Sequence, residues 1–334
     1  MKKTWIFFLL NLSMLSSLLA QQPRWKELQS PVKASFRGLS PVSAQTCWAV
    51  GSQGTWLRTV NGGKTWDAGV IAGLDSVDFR AIHAWDENSA IVASAGQPAV
   101  IYRTFDAGLT WQKVHQEGEK AFFDALIFIT DKRGFVLGDP VDGKWMVLET
   151  YDRGETWQPL PFLPQANPGE AAFAASNSSL ISNSSILVFG TGGVSANLHL
   201  YSLDQQYWTL FQSPIIQGES SQGIFAISFV NNGIVGVGGD FQDSDASGLT
   251  SAIFQNQKAV LSQKFPTGYR SGLAFLKKRK ILVAVGPNGS DFSEDFGTNW
   301  SRFSNLGFHA VKVSADQKSI WASGSDGRIA ILFY

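Results

Sequence analysis

The chain has 334 residues, with 27 Lys and Arg against 27 Asp and Glu. The formal net charge is zero and there is no basic tract, so nucleic acid is not an expected partner. A single cysteine excludes an internal disulfide framework, and with four histidines it offers no metal-ligand cluster at usable spacing.

In chain order the first feature is an export signal. Lys2 and Lys3 precede the apolar runs Trp5–Leu10 and Met14–Leu19, and Ala20 is a small residue before Gln21. This predicts a signal peptide over 1–20, cleaved after about Ala20, and an exported chain, periplasmic or secreted. A transmembrane anchor is the alternative, but Asn11 and several serines interrupt a run already short for a span. No stable membrane insertion is expected. Cys47 lies in the apolar string "TCWAVG" and reads as a small buried hydrophobe.

Short runs rich in Val, Ile and Phe, broken by Gly, Asn and Asp, predict an all-β chain. Seven strands open successive units, beginning at Ser35, Asp78, Phe122, Glu170, Gly223, Tyr269 and Phe308. Most are followed by a second strand that ends in glycine, as at Gly51, Gly138, Gly239, Gly286 and Gly324. Four of the units then carry a string of the type "TFDAGLTW" (Thr104–Trp111), repeated at Thr59–Trp66, Thr150–Trp157 and Ser293–Trp300. The period is about 45 residues. A degraded copy ends at Trp208, and the motif is lost in Thr250–Val260. Seven units of four strands predict a seven-bladed β-propeller, a single domain over 21–334. The chain stops after the third strand of the last unit, and Trp25–Ser30 resembles a fourth strand. The N-terminal strand is therefore expected to close the ring and remove an open edge.

The repeated string reads as a tight hairpin between the third and fourth strands. Its acid, or Asn61 in the first copy, accepts hydrogen bonds from turn amides. The glycine supplies a positive φ cheaply, and the tryptophan wedges between neighbouring sheets. Asn61, Asp106, Asp152 and Asp295 are accordingly structural. Identical chemistry in each blade argues against reading the aspartates as catalytic acids.

Ser/Thr-x-Asp-x-Gly-x-Thr-Trp resembles the Asp-box, or BNR repeat, of sialidase-type propellers. The denser pattern resembles the propeller of the photosystem II assembly and stability factors. "SFRGL", "GDPVDG", "GEAAFAAS", "GYRSG" and "GFHAV" in this order resemble an exported bacterial group. Some of its members carry an oxidoreductase label. Nothing in this sequence supports that label, because "GVGGD" at Gly236–Asp240 is a lone glycine cluster between strands. The resemblance implies a binding or assembly scaffold, and no cofactor is expected.

Function is sought where the repeat is broken at the channel mouth. Aligning the openings places Arg37, Arg80, Asp124, Ala171, Phe225, Ser271 and His309 at one position per blade, with Glu170 and Arg270 one residue earlier in theirs. Loop residues Asp139 and Asp291 add acids. One reading is a polar, mixed-charge basin formed by Arg37, Arg80, Asp124, Glu170, Arg270 and His309, flanked by Asp139 and Asp291. It would take an anionic or sugar-like ligand, or a protein partner outside the inner membrane. His309 would make binding vary between about pH 5 and 8. The other reading is that these charges pair and close the channel. A sialidase-like glycoside hydrolase is the enzyme alternative, with Tyr269 as nucleophile and Glu170 as its activator. A monomer is expected.

Overall fold

The computed structural model describes residues 22–334, and every regular element among them is a strand. The signal-peptide expectation falls outside the described residues. Seven antiparallel sheets, each carrying a four-stranded blade and one extended by two short strands, stand around a central channel. Blade 1 spans 36–70, blade 2 79–116, blade 3 123–159, blade 4 180–212, blade 5 222–261 and blade 6 272–304. Blade 7 has three strands within 310–333, and its fourth is Arg24–Leu28. That strand pairs antiparallel with Ile329–Phe333, with Trp25 opposite Leu332. The ring is closed by its own N-terminal strand, as the sequence predicts.

Burial follows the blade from axis to rim. The second strands are the most buried, wholly so in Cys47–Gly51 and Ala90–Ser94, while fourth strands such as Gln112–Gln116 are largely exposed. Apolar faces of adjacent sheets meet. Trp48 and Val50 of blade 1 pack with Phe79, Ile82 and Val92 of blade 2, so removal of apolar surface from water stabilises blade against blade.

The repeated strings form the hairpins that lock these junctions. In blade 3 the Thr150 hydroxyl donates to Asp152 Oδ1 (2.8 Å) and accepts from the Gly154 amide (3.0 Å). Asp152 also accepts from the Glu155 and Thr156 amides, both at 2.9 Å, and from the Thr156 hydroxyl (2.6 Å). Asp106 repeats most of this set with Thr104 and Thr110, and Asp295 does so with Ser293 and Asn299. In blade 1 the last bond is reversed: Asn61 Nδ2 donates to Thr65 Oγ1 (2.7 Å). Gly154 has φ +80°, and a Cβ there would lie 2.4 Å from Ile91 Cδ1 of blade 2. The hairpin thus rests on the preceding blade at a left-handed position that favours glycine, where a Cβ would have to displace the end of the Ile91 side chain.

The tryptophans reach the same way. Trp66 meets Trp321 of blade 7 edge-on, Trp111 meets Trp48 of blade 1, and Trp300 Nε1 donates to Ser251 of blade 5. Trp25 Nε1 donates to Ser290 of blade 6.

Blade 4 departs from the expected plan. Glu170–Ala171 is not its inner strand; it pairs with Gly192–Gly193, and Gly192 pairs in turn with Gly223 of blade 5. The inner strand is Leu180–Ser182. The intervening 172–179 cross the channel. The string EAAFAA aligns with the inner-strand openings of the other units in sequence, yet the hydrogen bonds of 172–179 go to six other blades. Ala175 O accepts from Arg37 Nη1 (3.2 Å, blade 1), and Asn177 Nδ2 donates to Ile82 O (3.2 Å, blade 2). Asn177 Oδ1 accepts from Leu126 N (2.7 Å, blade 3), and Ser178 O from Ile227 N (2.9 Å, blade 5). Ser176 Oγ donates to Ser271 O beside blade 6, and Lys312 Nζ of blade 7 donates to Asn177 O (2.7 Å). The segment is a plug.

Candidate functional site at the channel mouth

The aligned position of each opening has a structural meaning. In blades 1, 2, 3 and 5 the inner-strand register slips by one residue at Arg37, Arg80, Asp124 and Phe225. These are β-bulges, and a bulge re-aims the side chain it carries. Ser271 and His309 stand just before the inner strands of blades 6 and 7. In blade 4 the corresponding place is taken by the plug.

Arg37, Arg80, Phe225, Ser271 and His309 line one cavity of about 360 Å³ above the plug, walled also by Phe173, Ala175 and Tyr269. Phe173 stacks on Phe225 with ring centroids 3.8 Å apart, so Phe225 has a packing partner supplied by the plug. Arg80 Nε is held by Asp78 at 2.7 Å. No carboxylate among the described residues forms an ion pair with Arg37; its hydrogen bond is to the Ala175 carbonyl. Burial, and next the charge of Arg80, lower the Arg37 pKa. An arginine held beside another cation without an ion-pair partner favours an anion at the open face of the cavity.

Three of the predicted basin residues lie elsewhere. Arg270 is fully buried and paired through Nε to Asp291 Oδ2 at 2.7 Å. Its other nitrogens bind Tyr269 O, Asn288 Oδ1 and Thr267 O, so Arg270 and Asp291 fasten the loop entering blade 6 to the turn between its second and third strands. Glu170 is also buried. Oε1 accepts from Thr191, Asn197 and His199, and Oε2 from the Asn167 amide. Burial raises the Glu170 pKa, but these bonds outweigh it and hold the carboxyl below its ordinary value. Asp124 is 1% exposed and neither oxygen has a hydrogen-bond partner among the described residues. Burial and then Asp139 push its pKa well up against the pull of Arg80. Asp139 Oδ1 accepts from the Ala172 amide (2.9 Å) and anchors the root of the plug.

His309 lines the cavity, but its expected titration is corrected. Its Nε2 lies 3.2 Å from Ser35 Oγ and 2.9 Å from Ser325 Oγ. Burial, followed by Arg37, Arg80 and Arg328, lowers its pKa to about 3, so the ring is neutral at physiological pH. The glycosidase arrangement is likewise not assembled. Burial raises the Tyr269 pKa, and Glu170 is engaged with blade 4 side chains. Among the described residues no group of three or more His, Cys, Asp or Glu is arranged to hold a metal, and no helix is long and apolar enough to cross a membrane.

Sequence reasoning missed the plug and the cavity floor it forms. The signal was the longer interval between Trp157 and Trp208, together with the Ser/Asn-rich string after Ala175.

A family model described as "Photosynthesis system II assembly factor YCF48" matches residues 18–121. The chain resembles that family. The matched stretch takes in the closing strand and blades 1 and 2, including Arg37 and Arg80. No curated protein matches the sequence. A solved structure described as "YCF48 bound to D1 peptide" superposes with a TM-score of 0.67 at 14% identity, covering 93% of this chain and 97% of the other. YCF48 from Cyanidioschyzon merolae gives 0.61 at 17% identity, covering 92% and 98%. A structure of U3-55K gives 0.65 at 13% identity, covering 94% and 99%. At these identities the superpositions show the propeller fold alone, and function rests on the site.

Proposed function

We propose that the chain is an exported binding or assembly scaffold whose channel mouth takes the carboxylate of a partner polypeptide. The carrying observation is Arg37, an arginine with no ion-pair partner among the described residues, in a cavity of about 360 Å³ that also holds Arg80. A planar guanidinium suits a carboxylate through paired N–H donors. The description of a YCF48 relative bound to a peptide supports a polypeptide partner, and the apolar N-terminal run after Lys2 and Lys3 supports export.

The test is fluorescence polarisation with a panel of labelled peptides ending in a free carboxylate, each beside its amidated twin. Binding should require the free carboxylate. Arg37→Ala should weaken it by roughly tenfold or more, about 1.4 kcal/mol, with the melting temperature retained. With His309 neutral, affinity should stay flat between about pH 5 and 8. Equal binding of the amidated twins, an indifferent Arg37→Ala variant, or binding of neutral glycans instead would overturn the reading.

A further inference from the structure

Five blades place a tryptophan at one register position, and blade 5 does not. The position immediately precedes the fourth-strand residue that pairs with the residue before the Ser/Thr of the hairpin. In blade 1 the pair is Arg58 with Asp67, and the wedge is Trp66. The same register gives Trp111, Trp157, Trp300 and, in blade 7, Trp25. In blade 4 the turn between that pair is two residues shorter: Trp208 pairs with Tyr201 and donates to Phe162 O, and Tyr207 precedes it. In blade 5 Ile253 pairs with Val260, so the wedge position is Ala259. The hairpin there is a tight turn at Asn256 and Gln257, both at positive φ, with no Asp-box and no indole.

The consequence is an opening between blades 4 and 5. A cavity of about 380 Å³ is walled by Ile186, Leu198, Leu200 and Phe211 of blade 4 and Phe229 and Phe254 of blade 5. It is continuous, through Ile186, Leu200, Phe211 and Gln257, with a second hollow that reaches Ala259. The lining of both contains amides such as Asn183, Asn231 and Gln257 but no ionisable group except the Tyr207 phenol. Leu210, Tyr207 and Val260, on or beside the flanking outer strands, are about half exposed or more.

We infer that this groove is a docking site for an aromatic side chain, an indole or its like, carried on an extended uncharged segment of a partner protein. The molecule itself shows what fits: four other blades set a tryptophan of the hairpin at this register and blade 7 sets Trp25, whereas blade 5 has Ala259 there and leaves an apolar, amide-rimmed cavity. The lack of charged groups in the lining excludes a charged side chain, since a buried unpaired charge is costly. The site is separate from the channel mouth and does not depend on its reading.

The test uses the purified chain and the tripeptide acetyl-Thr-Trp-Gln-amide, which copies Thr110–Gln112. The indole carries a 5-fluoro label and is followed by 19F NMR. The wild type and Arg37→Ala should broaden and shift the fluorine line. Ala259→Trp, which supplies the indole from within, should raise the melting temperature and abolish the effect. Phe211→Ser, a change on an outer strand, should abolish it without filling the groove. The same tripeptide with leucine for tryptophan should not compete. Absence of binding to the wild type overturns the inference, as does binding that survives both groove variants. If the wild type self-associates in sedimentation experiments and Ala259→Trp is monomeric, the occupant is a second copy of this chain and the partner assignment is wrong.

Discussion

Asp152 shows how one carboxylate organises a whole turn. It gathers two amide and two hydroxyl donors, and its replacement by alanine should cost about 1 kcal/mol, the net scale of a hydrogen bond. Asparagine should be tolerated better, because Asn61 already does the same work in blade 1 with one bond reversed. Urea unfolding of Asp152→Ala and Asp152→Asn at neutral pH checks the order. The pH dependence follows from the same bonds. Burial raises the Asp152 pKa, but the Thr156, Thr150 and Glu155 bonds outweigh it, and the net shift is below the ordinary 3.8. A depressed folded pKa means that the unfolded chain binds the proton first. The stabilisation is complete above 3.8 and is lost as pH falls through the folded value. His83 and His309 act at higher pH by the same sign. Burial, foremost among the causes, lowers them from 6.5 to about 4 and about 3. They are neutral when folded and protonated when unfolded between those values, so stability should decline as pH falls below about 6.5. Thermal melts from neutral pH downward should show that early decline. A flat profile from neutral to pH 4 would refute the burial of both rings.

At the scale of the element, the hairpin and its glycine form one device. Gly154→Ala faces two obstacles: a φ of +80° and a contact of 2.4 Å with Ile91 Cδ1. The conformational part alone costs about 1–2 kcal/mol for an L-residue. The contact adds to it unless blade 2 retreats. The loss should exceed that of Asp152→Ala, and a smaller loss in denaturant melts would show that the blades do not bear on one another through this turn. These elements were legible in the sequence because each blade must solve the same problem, and Trp66, Trp111, Trp157 and Trp300 repeat the solution at an even spacing. The bulge position was legible for a related reason: two arginines, Asp124 and Phe225 stand there where packing asks for sameness. The fate of each bulge or neighbouring charge was not. Arg270 and Arg37 look alike in sequence, and only the arrival of Asp291 across a strand pair buries one of them. The neutrality of His309 depends on burial by several blades at once. The run of Ala172, Phe173, Ala174 and Ala175 satisfies the pattern of an inner strand, and nothing local tells it apart from a plug.

For the whole molecule, the plug turns a tube into two chambers. Above it lies the Arg37 cavity. Below it lies a hollow of about 210 Å³ bounded by Ile82, Phe128 and Lys312, whose pKa burial lowers to about 8. Because 172–179 bond to six other blades, the plug also works as a hub that ties the ring across its axis, as the closing strand ties it around the rim. Asn177 is the centre of that hub. It is 3% exposed, sits at φ +56°, accepts from Leu126 N and donates to Ile82 O. Asn177→Ala leaves a buried amide and a buried carbonyl without partners, each worth about 1–3 kcal/mol, and also places alanine in the left-handed region. Asn177→Gly removes the backbone strain but keeps the hydrogen-bond loss. Both variants should therefore unfold well before the wild type, with Ala below Gly by about 1 kcal/mol. Limited proteolysis should then cut first within 172–179 in both. A wild-type melting point and an uncut segment in the Gly variant would show that the ring stands without its hub.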